Sequence, residues 1–386
     1  MDITIQPGKL TGCITAIPSK SQAHRLMICA AFAKEPTLLY CPEINRDIEA
    51  TADCLRALGA IIDRTEDGYH IIPVGNVPSE AFLNCCESGS TLRFMLPIVG
   101  ALGVKTILQM EGRLPCRPLS PLWEEMERMG CSLSRPSENT ILCVGKLLPG
   151  TYSIAGNVSS QFITGLLFAF SLIDGNCSLV ITGKLESAPY IEMTKDALAL
   201  FSDHHSPGRL TVEGDWSNGA FFLAAQALGN AVTVENLNPT SHQGDRASAD
   251  LLPGLKTHRN ISAANIPDLV PILAVTAACN QGAVFTDIQR LRLKESDRVA
   301  SIIAMLRALG GKAEATEDTL TVYGTGLTGG IVSSCNDHRI AMAAAIAATV
   351  CTVPVTILGA EAVNKSYPRV WEEYARLGGK YEQHIR

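Results

Sequence analysis

The feature that most constrains the fold is a helical segment that recurs six times. Each copy opens with polar or small residues and runs into a stretch that is apolar on every side, as in "KSQAHRLMICAAFA" and "NDHRIAMAAAIAATV". A helix without a polar face is buried, because none of its sides can face water. Copies spaced by 69, 70, 57, 51 and 69 residues therefore predict six similar structural units. Their markers are Ser21, Ser90, Ser160, Ser217, Asp268 and Asp337.

A second pattern accompanies these helices. An amphipathic helix ends in Gly after Leu or Met, and alternating strands follow around turns such as "TEDG" and "SENT". A Gly after the last apolar turn is typical of a left-handed helix end. The segments around residues 198–215 and 245–268 lack this pattern, so two units are predicted to have lost their hairpin strands. The four glycines are Gly59, Gly130, Gly310 and Gly378.

The units predict an α/β fold with two domains. Each unit supplies one buried helix, one amphipathic helix and a few strands. Three buried helices can pack together in one domain, so six units form two. A chain of 386 residues is long enough for two domains with cores.

Composition excludes several classes of partner. The net charge is −6 and no run of five or more Lys and Arg occurs, so we expect no nucleic-acid partner. The longest apolar stretch has 14 residues from Ile340, short of the roughly 20 that span a bilayer, and predicts a core helix rather than a membrane segment. Thirteen scattered cysteines without zinc spacing, and no signal-peptide pattern, predict reduced thiols, no metal site and a cytoplasmic location.

The polar openings of the buried helices carry an unusual number of cations. A helix start presents unpaired N–H groups and a positive dipole, which suit anions. Capping accounts for Ser, Thr and Asp there, but a cation in the first turn opposes the dipole. Lys20, Arg25, Arg93 and Arg339 are therefore predicted anion ligands. Loops add Arg117, Lys294, Arg298 and Lys365, which could otherwise belong to solvated faces.

Such a set of cations needs two or three negative groups to balance it, which implies ligands with phosphate and carboxylate groups. The strings that carry these residues also occur in a known family. In chain order they are "PSKSQAHR", "ESGSTLRF", "GRLPCRP", "GNVSSQFITGLL", "SAPYIEMT", "VEGDWSNGAFFLAA", "QGDR", "IPDLVPILA", "RLRLKESDR", "NDHRIAMA" and "NKSYPRVWEE".

With these strings the sequence resembles the EPSP synthase family, the 3-phosphoshikimate 1-carboxyvinyltransferases. The resemblance covers nearly the whole chain. It implies an inside-out α/β barrel of two domains, each with three βαβαββ-type units. The implied domains are residues 19–213, mainly for shikimate 3-phosphate, and residues 1–18 with 214–386, for phosphoenolpyruvate and proton transfer. The implied active site lies in the cleft between them.

The resemblance also implies a reaction of the shikimate pathway. Phosphoenolpyruvate gives its carboxyvinyl group to the 5-hydroxyl of shikimate 3-phosphate and releases phosphate, without a metal or organic cofactor. The implied shikimate 3-phosphate ligands are Lys20, Ser21, Arg25, Ser159, Ser160, Gln161, Ser187, Tyr190 and Asp268. The implied phosphoenolpyruvate ligands are Lys20, Gly89, Arg93, Arg117, Gln161, Arg298, His338, Arg339 and Lys365.

Four residues are implied in catalysis. Asp268 would accept the 5-hydroxyl proton, and Glu295 would transfer a proton at the methylene carbon, with Lys365 as another candidate for that step. Lys20 would contact both substrates. The substrates are the expected partners of a chain that works as a monomer.

Three other classes of protein share part of these patterns. The related UDP-N-acetylglucosamine enolpyruvyl transferases carry Lys-Asn where this chain has Lys20-Ser21, and a loop Cys several residues before an Arg, whereas Cys116 directly precedes Arg117. A dinucleotide site at "GTGLTGG" would need a helix after it, but "IVSSC" is typical of a strand. A binding protein without turnover would not need Asp268 and Glu295.

One residue departs from the family pattern. Glu87 stands where many members have Asn, just before the glycine implied in phosphoenolpyruvate binding. It could lower the affinity for that substrate or be neutralised by a nearby cation.

Overall fold

The computed structural model describes residues 1–43 and 45–384. The chain divides into two compact units. We call Pro18–Val212 the central domain, and Met1–Ile17 together with Glu213–Arg386 the terminal domain. From sequence, the expected ranges were 19–213 and 1–18 with 214–386. Both points at which the chain passes from one domain to the other therefore lie one residue earlier in the structure than expected.

The elements follow in chain order. The terminal domain begins with β1 (Asp2–Ile5) and β2 (Thr11–Thr15). The central domain contains α1 (Lys20–Ala31), β3 (Thr37–Tyr40), α2 (Arg46–Ala57), β4 (Ile61–Thr65), β5 (Gly68–Ile72), β6 (Glu80–Asn84), α3 (Gly89–Leu102), β7 (Lys105–Gln109), α4 (Leu122–Arg128), β8 (Cys131–Ser137), β9 (Thr140–Gly145), β10 (Gly150–Ala155), α5 (Ser160–Phe170), β11 (Cys177–Thr182), α6 (Ala188–Leu200) and β12 (Arg209–Thr211).

The terminal domain then resumes. It contains α7 (Trp216–Ala227), β13 (Ala231–Glu235), α8 (Ser248–Gly254), β14 (Arg259–Ser262), α9 (Val270–Ala278), β15 (Ala283–Thr286), α10 (Arg298–Ala308), β16 (Lys312–Ala315), β17 (Thr319–Tyr323), β18 (Gly330–Ser333), α11 (His338–Ala348), β19 (Val355–Leu358), α12 (Val370–Arg376) and β20 (Tyr381–His384). Short 3₁₀ helices lie at Leu114–Cys116, Ser202–His204, Gly244–Ala247, Gln289–Leu293 and Ala360–Lys365.

Within the described residues the strands form six sheets, three in each domain. In the central domain their orders are β12-β3-β5-β4, β6-β7-β9-β8 and β10-β11; in the terminal domain they are β18-β19-β1-β20, β14-β15-β17-β16 and β13-β2. Each four-stranded sheet joins a parallel pair to two antiparallel strands, as β6 and β7 are joined to β9 and β8. The two-stranded sheets have only the parallel pair. The α/β fold, the six units and the two shortened units are therefore confirmed.

Strand pairing explains why the terminal domain takes both ends of the chain. Strand β1 lies between β19 and β20 and pairs with both in antiparallel fashion, so the N-terminal strand completes the last unit. Strand β2 precedes α1 in the chain but pairs with β13, whereas β12 precedes α7 but pairs with β3. The strand that precedes α1 thus pairs within the terminal domain, and the strand that precedes α7 pairs within the central domain.

The recurring helices form the two cores, as predicted. Helix α3 packs on α5 in the central domain, and α11 packs on α9 and α7 in the terminal domain. Every residue of α11 is buried, which confirms the core helix at the longest apolar stretch. Gly165 on α5 lets α3 approach, because a Cβ there would collide with the carbonyl oxygen of Arg93.

Two further predictions are confirmed. The glycines that end the amphipathic helices have φ values of 105° at Gly59, 112° at Gly130, 83° at Gly310 and 90° at Gly378, a region that other residues rarely adopt. The "GTGLTGG" segment connects strand β17 to strand β18, so it opens no helix, as the strand pattern after it predicts. The two strands lie in different sheets, so the segment is not a hairpin turn. Among the helices that the structure describes, none is both long and apolar enough to cross a bilayer.

Candidate active site

Serines cap the three buried helices of the central domain. The side-chain oxygens of Ser19, Ser88 and Ser159 accept hydrogen bonds from backbone N–H groups in the first turns of α1, α3 and α5, at 3.4, 3.2 and 3.2 Å. The cap of α1 is thus Ser19, and Ser21, the marker of this helix in the sequence, is its second residue. A serine cap carries no charge, so the positive end of each dipole stays available to an anion.

Two arginines converge on the start of α3. A Cβ at Gly89 would lie 2.7 Å from Nη1 of Arg93 and 2.7 Å from Nη1 of Arg117, so the two nitrogens are at most 5.4 Å apart, twice 2.7 Å. Two unit charges at that distance repel by about 3 kcal/mol at an effective dielectric constant of ~20. A side chain at this position would force both guanidinium groups to move. An anion bound between the two guanidinium groups would be attracted to both and would offset their mutual repulsion.

Gln161 holds one of these arginines in place. Its Oε1 accepts a hydrogen bond from Arg93 Nη1 at 2.9 Å, and its Nε2 donates to Ser90 Oγ at 2.9 Å. Arg93 also donates to the carbonyl of Pro118 at 3.1 Å, one residue beyond Arg117. We call Gly89, Arg93, Arg117 and Gln161 the arginine pocket.

The cations at these helix starts lie deeper than predicted. Arg93 is the fifth residue of α3 and Arg25 the sixth of α1, so neither lies in a first turn. Helical side chains point toward the N-terminus, so long ones still reach the start. Arg25 donates to the carbonyl of Ser21, to the carbonyl of Tyr190 at 2.8 Å and to Thr194 Oγ1 at 2.9 Å. Burial lowers the pKa of Arg25 to about 10.

The other predicted residues of this domain lie around the same helix starts. Lys20 is the first residue of α1, and its Nζ lies 2.9 Å from Oδ2 of Asp47. Ser160 is the first residue of α5. Ser187 precedes α6 in a left-handed conformation, with φ of 57°, and is 2% exposed.

Glu87, which departs from the family pattern, lies beside the loop that carries Arg117. A Cβ at Gly112 would lie 2.5 Å from Oε2 of Glu87. Gly112 has φ of 56°, a second reason for glycine at this turn. The carboxylate of Glu87 therefore rests on the backbone of the loop.

Carboxylates take the place of serines in the terminal domain. Asp215 caps α7, Asp337 caps α11 and Asp297 caps α10. Asp268 lies two residues before α9. These carboxylates offset the helix dipoles from within the protein.

Arg298 is the centre of this charged cluster. It is 1% exposed and donates to three carboxylates: to Asp268, to Glu295 at 2.6 Å and to Asp337 at 2.8 Å. Burial lowers the pKa of Arg298, but the three carboxylates outweigh burial and raise it well above its ordinary value.

Asp268 contacts cations on several sides. Arg339 donates to its Oδ2 at 3.1 Å, and Nζ of Lys294 lies 3.6 Å from its Oδ1. Burial raises the pKa of Asp268, but Arg339, Lys294 and Arg298 together hold it well below 3.8. Asp268 is therefore ionised throughout the neutral range.

The pKa of Lys294 is lowered as well. Burial, with Arg298 and Arg290, lowers its pKa to about 8, although Asp268 and Glu295 raise it. From sequence, Lys294 was one of the loop cations, without a specific role. Its position in "LKESDR", directly before the candidate catalytic residue Glu295, is the signal that could have found it.

The remaining predicted residues of this domain lie near α11. His338 is its first residue and is buried, and Nζ of Lys365 donates to the carbonyl of Asn336 at 3.0 Å. A pair missed from sequence lies at the start of α7, where Ser217 donates to the buried carboxylate of Asp245. Burial, and then the charge of Asp268, raise the pKa of Asp245 to about 6.

Across the described ranges 1–43 and 45–384, no group of three or more His, Cys, Asp and Glu could hold a metal ion. The thirteen cysteines are free thiols, as predicted, and Cys116 is exposed.

Solved structures similar to this one include EPSP synthases and an enolpyruvyl transferase. EPSP synthase from Acinetobacter baumannii superposes with a TM-score of 0.78 at 23% identity, over 99% of this chain and 100% of that one. The enolpyruvyl transferase NikO from Streptomyces tendae gives 0.75 at 16% identity, over 100% and 99%. At these identities the likeness establishes the fold class alone.

Sequence comparison gives the family. The model of EPSP synthase (3-phosphoshikimate 1-carboxyvinyltransferase) matches residues 5–255 and 251–374. The 3-phosphoshikimate 1-carboxyvinyltransferase of Clostridium kluyveri is 36% identical over 418 residues, covering 99% of this chain and 98% of the relative. That of Clostridium perfringens is 36% identical over 417 residues, covering 98% of each. The chain belongs to the EPSP synthase family.

The alignment with the Clostridium kluyveri protein spans 418 residues, more than the 386 of this chain, so the relative carries residues that this chain lacks. This agrees with the two units that have no hairpin strands.

The arginine pocket yields a first prediction. Gly89→Ala would push a methyl group against both guanidinium groups. We expect the KM for phosphoenolpyruvate to rise by about 10- to 100-fold, because small displacements of binding groups have effects of this size. Steady-state kinetics with each substrate varied in turn would measure it. Gly75→Ala is the matched control, since a Cβ there meets no atom within 4 Å. Equal effects of the two changes on KM would contradict the role of the arginine pocket in binding phosphoenolpyruvate.

Proposed function

We propose that this protein transfers the carboxyvinyl group of phosphoenolpyruvate to the 5-hydroxyl of shikimate 3-phosphate, as 3-phosphoshikimate 1-carboxyvinyltransferases do. The observation that carries the proposal is the arginine pocket at a serine-capped helix start, in a chain of the EPSP synthase family. Two cations and a helix dipole there fit a small, highly charged anion.

The two domains divide the work in this proposal. The central domain binds anionic groups: Arg93, Arg117 and Gln161 hold phosphoenolpyruvate, and Arg25 binds the phosphate of shikimate 3-phosphate. The other proposed ligands of shikimate 3-phosphate there are Ser21, Ser159, Ser160, Ser187 and Tyr190. Lys20, paired with Asp47 in this structure, would contact both substrates. The active site in the cleft between the domains stays a prediction.

The terminal domain supplies proton transfer. Addition of the 5-hydroxyl to phosphoenolpyruvate forms a C–O bond, removes the hydroxyl proton and adds a proton to the methylene carbon. Elimination then removes a proton from that carbon and releases phosphate. The first step needs a proton acceptor near the hydroxyl and an acid near the carbon. Asp268 is the proposed acceptor, and Glu295 is the proposed acid and later base, with Lys365 as the alternative.

The cations of the terminal domain are assigned to substrate binding and to charge stabilisation. Arg298, Arg339, His338 and Lys365 would bind phosphoenolpyruvate and stabilise the charge on the departing phosphate. In this structure Arg298 and Arg339 already bind Asp268. An arriving anion would therefore compete with carboxylates for the same donors, and only a strongly charged ligand could do so.

We also propose that the protein acts as a monomer in the cytoplasm, on these two small substrates, without metal or organic cofactor. The proton transfers and the charge stabilisation above call on side chains alone. Size-exclusion chromatography with light scattering would test whether the protein is a monomer. Turnover after treatment with a chelator would test whether it needs a metal.

The decisive experiment is an assay of phosphate release. Protein, phosphoenolpyruvate and shikimate 3-phosphate are mixed, and inorganic phosphate is measured while mass spectrometry follows the carboxyvinyl product. We expect release that depends on both substrates. Folded protein that releases none would refute the proposal, and release with UDP-N-acetylglucosamine in place of shikimate 3-phosphate would favour the related transferase.

Lys294 gives this reaction a pH dependence. Its folded pKa is about 8, so the ammonium form is present below that pH and is lost as the pH rises through it. We expect kcat/KM to fall above about pH 8, because kcat/KM reports the free enzyme and the substrates are anions. Arginine stays charged, so Lys294→Arg should remove this decline. Lys380→Arg, at an exposed position of the same domain, should leave it; the same decline in Lys294→Arg would rule this assignment out.

A further inference from the structure

A chain of buried hydrogen bonds joins the first three helices of the central domain. Nδ1 of His24 on α1 lies 2.7 Å from Oγ1 of Thr51 on α2, which lies 2.7 Å from Oγ1 of Thr91 on α3. Thr91 Oγ1 donates to Ser88 Oγ at 2.7 Å. All four side chains are completely buried. His24 stands in the polar opening of α1, and the structure places its side chain in the interior.

The hydrogen bond from Thr91 to Ser88 decides which atom donates in the other two hydrogen bonds. The hydroxyl of Thr91 donates to Ser88, so it accepts from Thr51, whose single proton is then used. Thr51 must in turn accept from His24, which places the ring proton on Nδ1. Nε2 of His24 is buried and has no hydrogen-bond partner among the described residues. Burial, and then Lys20 and Arg25, lower the pKa of His24 well below 6.5, which agrees with a neutral ring.

Both ends of this chain lie beside proposed ligand residues. Ser88 caps α3 and directly precedes Gly89 of the arginine pocket. His24 directly precedes Arg25 on α1, one turn after Lys20. A branch strengthens the link, because Thr91 Oγ1 is also 3.4 Å from the carbonyl oxygen of Asp47, whose carboxylate pairs with Lys20.

We propose that His24, Thr51, Thr91 and Ser88 form a positioning relay that fixes the start of α3 relative to the start of α1. The relay holds Gly89 and Arg93 in register with Lys20 and Arg25, so that the two groups of anion ligands keep their spacing. Its effect on turnover rests on the proposed function. The relay residues act through the ligand residues and contact no substrate themselves.

Thr51 is the best position for the test, because its side chain can be changed without changing its shape. Thr51→Val removes the hydroxyl and leaves both neighbours without their partner, whereas Thr51→Ser keeps the hydroxyl. Thr106→Val is the matched control: Thr106 is also completely buried in this domain, but among the described residues its hydroxyl bonds only to the carbonyl of Val104.

We expect Thr51→Val to raise the KM for phosphoenolpyruvate by about tenfold or more, because the start of α3 loses its register. The KM for shikimate 3-phosphate should rise less, because Arg25 is also held by α6 through Tyr190 and Thr194. Thr51→Ser and Thr106→Val should stay within about twofold of the parent protein. Unchanged KM values in Thr51→Val, or equal losses in Thr51→Val and Thr51→Ser, would overturn the relay.

A second measurement does not depend on turnover. Nitrogen-15 NMR of histidine-labelled full-length protein at neutral pH should show His24 neutral with its proton on Nδ1, the resonance being assigned with His24→Asn. The signature should persist in Thr51→Ser and change in Thr51→Val. A ring protonated on Nε2, or on both nitrogens, would overturn the relay even if the enzyme is active. A protein that releases no phosphate but shows the Nδ1 form would refute the proposed function alone.

Discussion

Replacing Arg298 with Met is expected to lower the free energy of unfolding by about 3–5 kcal/mol, because removal of one partner from a buried ion pair leaves uncompensated charge. Asp337 is fully buried and Asp268 and Glu295 are largely so, and each would lose a donor. Urea unfolding followed by circular dichroism would measure the loss.

The control for this prediction is Arg369→Met. Arg369 pairs with Glu372 at 3.2 Å, but both side chains are more than half exposed. Exposed pairs of this kind contribute about 0–1 kcal/mol. If the two variants lost similar stability, the cluster around Arg298 would not be what holds this part of the terminal domain together.

The effect of Arg298→Met should also depend on pH. The pKa of Asp268 is lower in the folded protein than its ordinary value of 3.8. The stability from its charged contacts is therefore fully present above about pH 4 and is lost as the pH falls through the folded value. The difference between the parent protein and Arg298→Met should be largest near neutral pH and should shrink in acid. A constant difference would mean that lost packing, and not charge, causes the destabilisation.

Asp268→Asn is expected to lower kcat by about 10²- to 10⁴-fold, the usual contribution of a general acid or base. The amide keeps the shape of the side chain but cannot accept the hydroxyl proton. Steady-state kinetics, with substrate binding measured separately by calorimetry, would give the result.

The comparison of kcat with binding decides what Asp268 does. A loss confined to kcat would support proton transfer, whereas an equal loss in kcat/KM and in substrate affinity would indicate a binding role only. Asp250→Asn is the control, since Asp250 is exposed on α8 of the same domain. Because Asp268 also binds Arg298 and Arg339, unfolding of each variant should be measured before its kinetics are interpreted.

Much of the fold could be predicted from short stretches of sequence. The six buried helices follow from apolar residues on every side, and the helix ends at Gly59, Gly130, Gly310 and Gly378 follow from the steric freedom of glycine. The missing hairpins follow from the absence of alternating strands after α6 and α8. Each of these properties belongs to residues close together in the chain, so one sequence is enough to show it.

The site could be predicted less completely. Family resemblance named Gly89, Arg93, Arg117 and Gln161, and the structure brings these four together. The sequence does not decide which serine caps α1, because Ser19 and Ser21 are equally good caps by residue type. Whether a helix starts at one or the other depends on how the preceding strand approaches, which local sequence does not specify.

By itself, the sequence determined the number of units, their buried helices, the two shortened units and the residue types available at each helix start. Only the tertiary structure decided which of these meet. Arg298 joins three carboxylates from separate segments, and β2 and β12 exchange partners across more than 150 residues of chain. Likewise, His24 is buried in a relay and not placed on the surface. Such contacts arise from packing between distant segments, where burial sets the strength of each charge and hydrogen bond, and no local pattern encodes them.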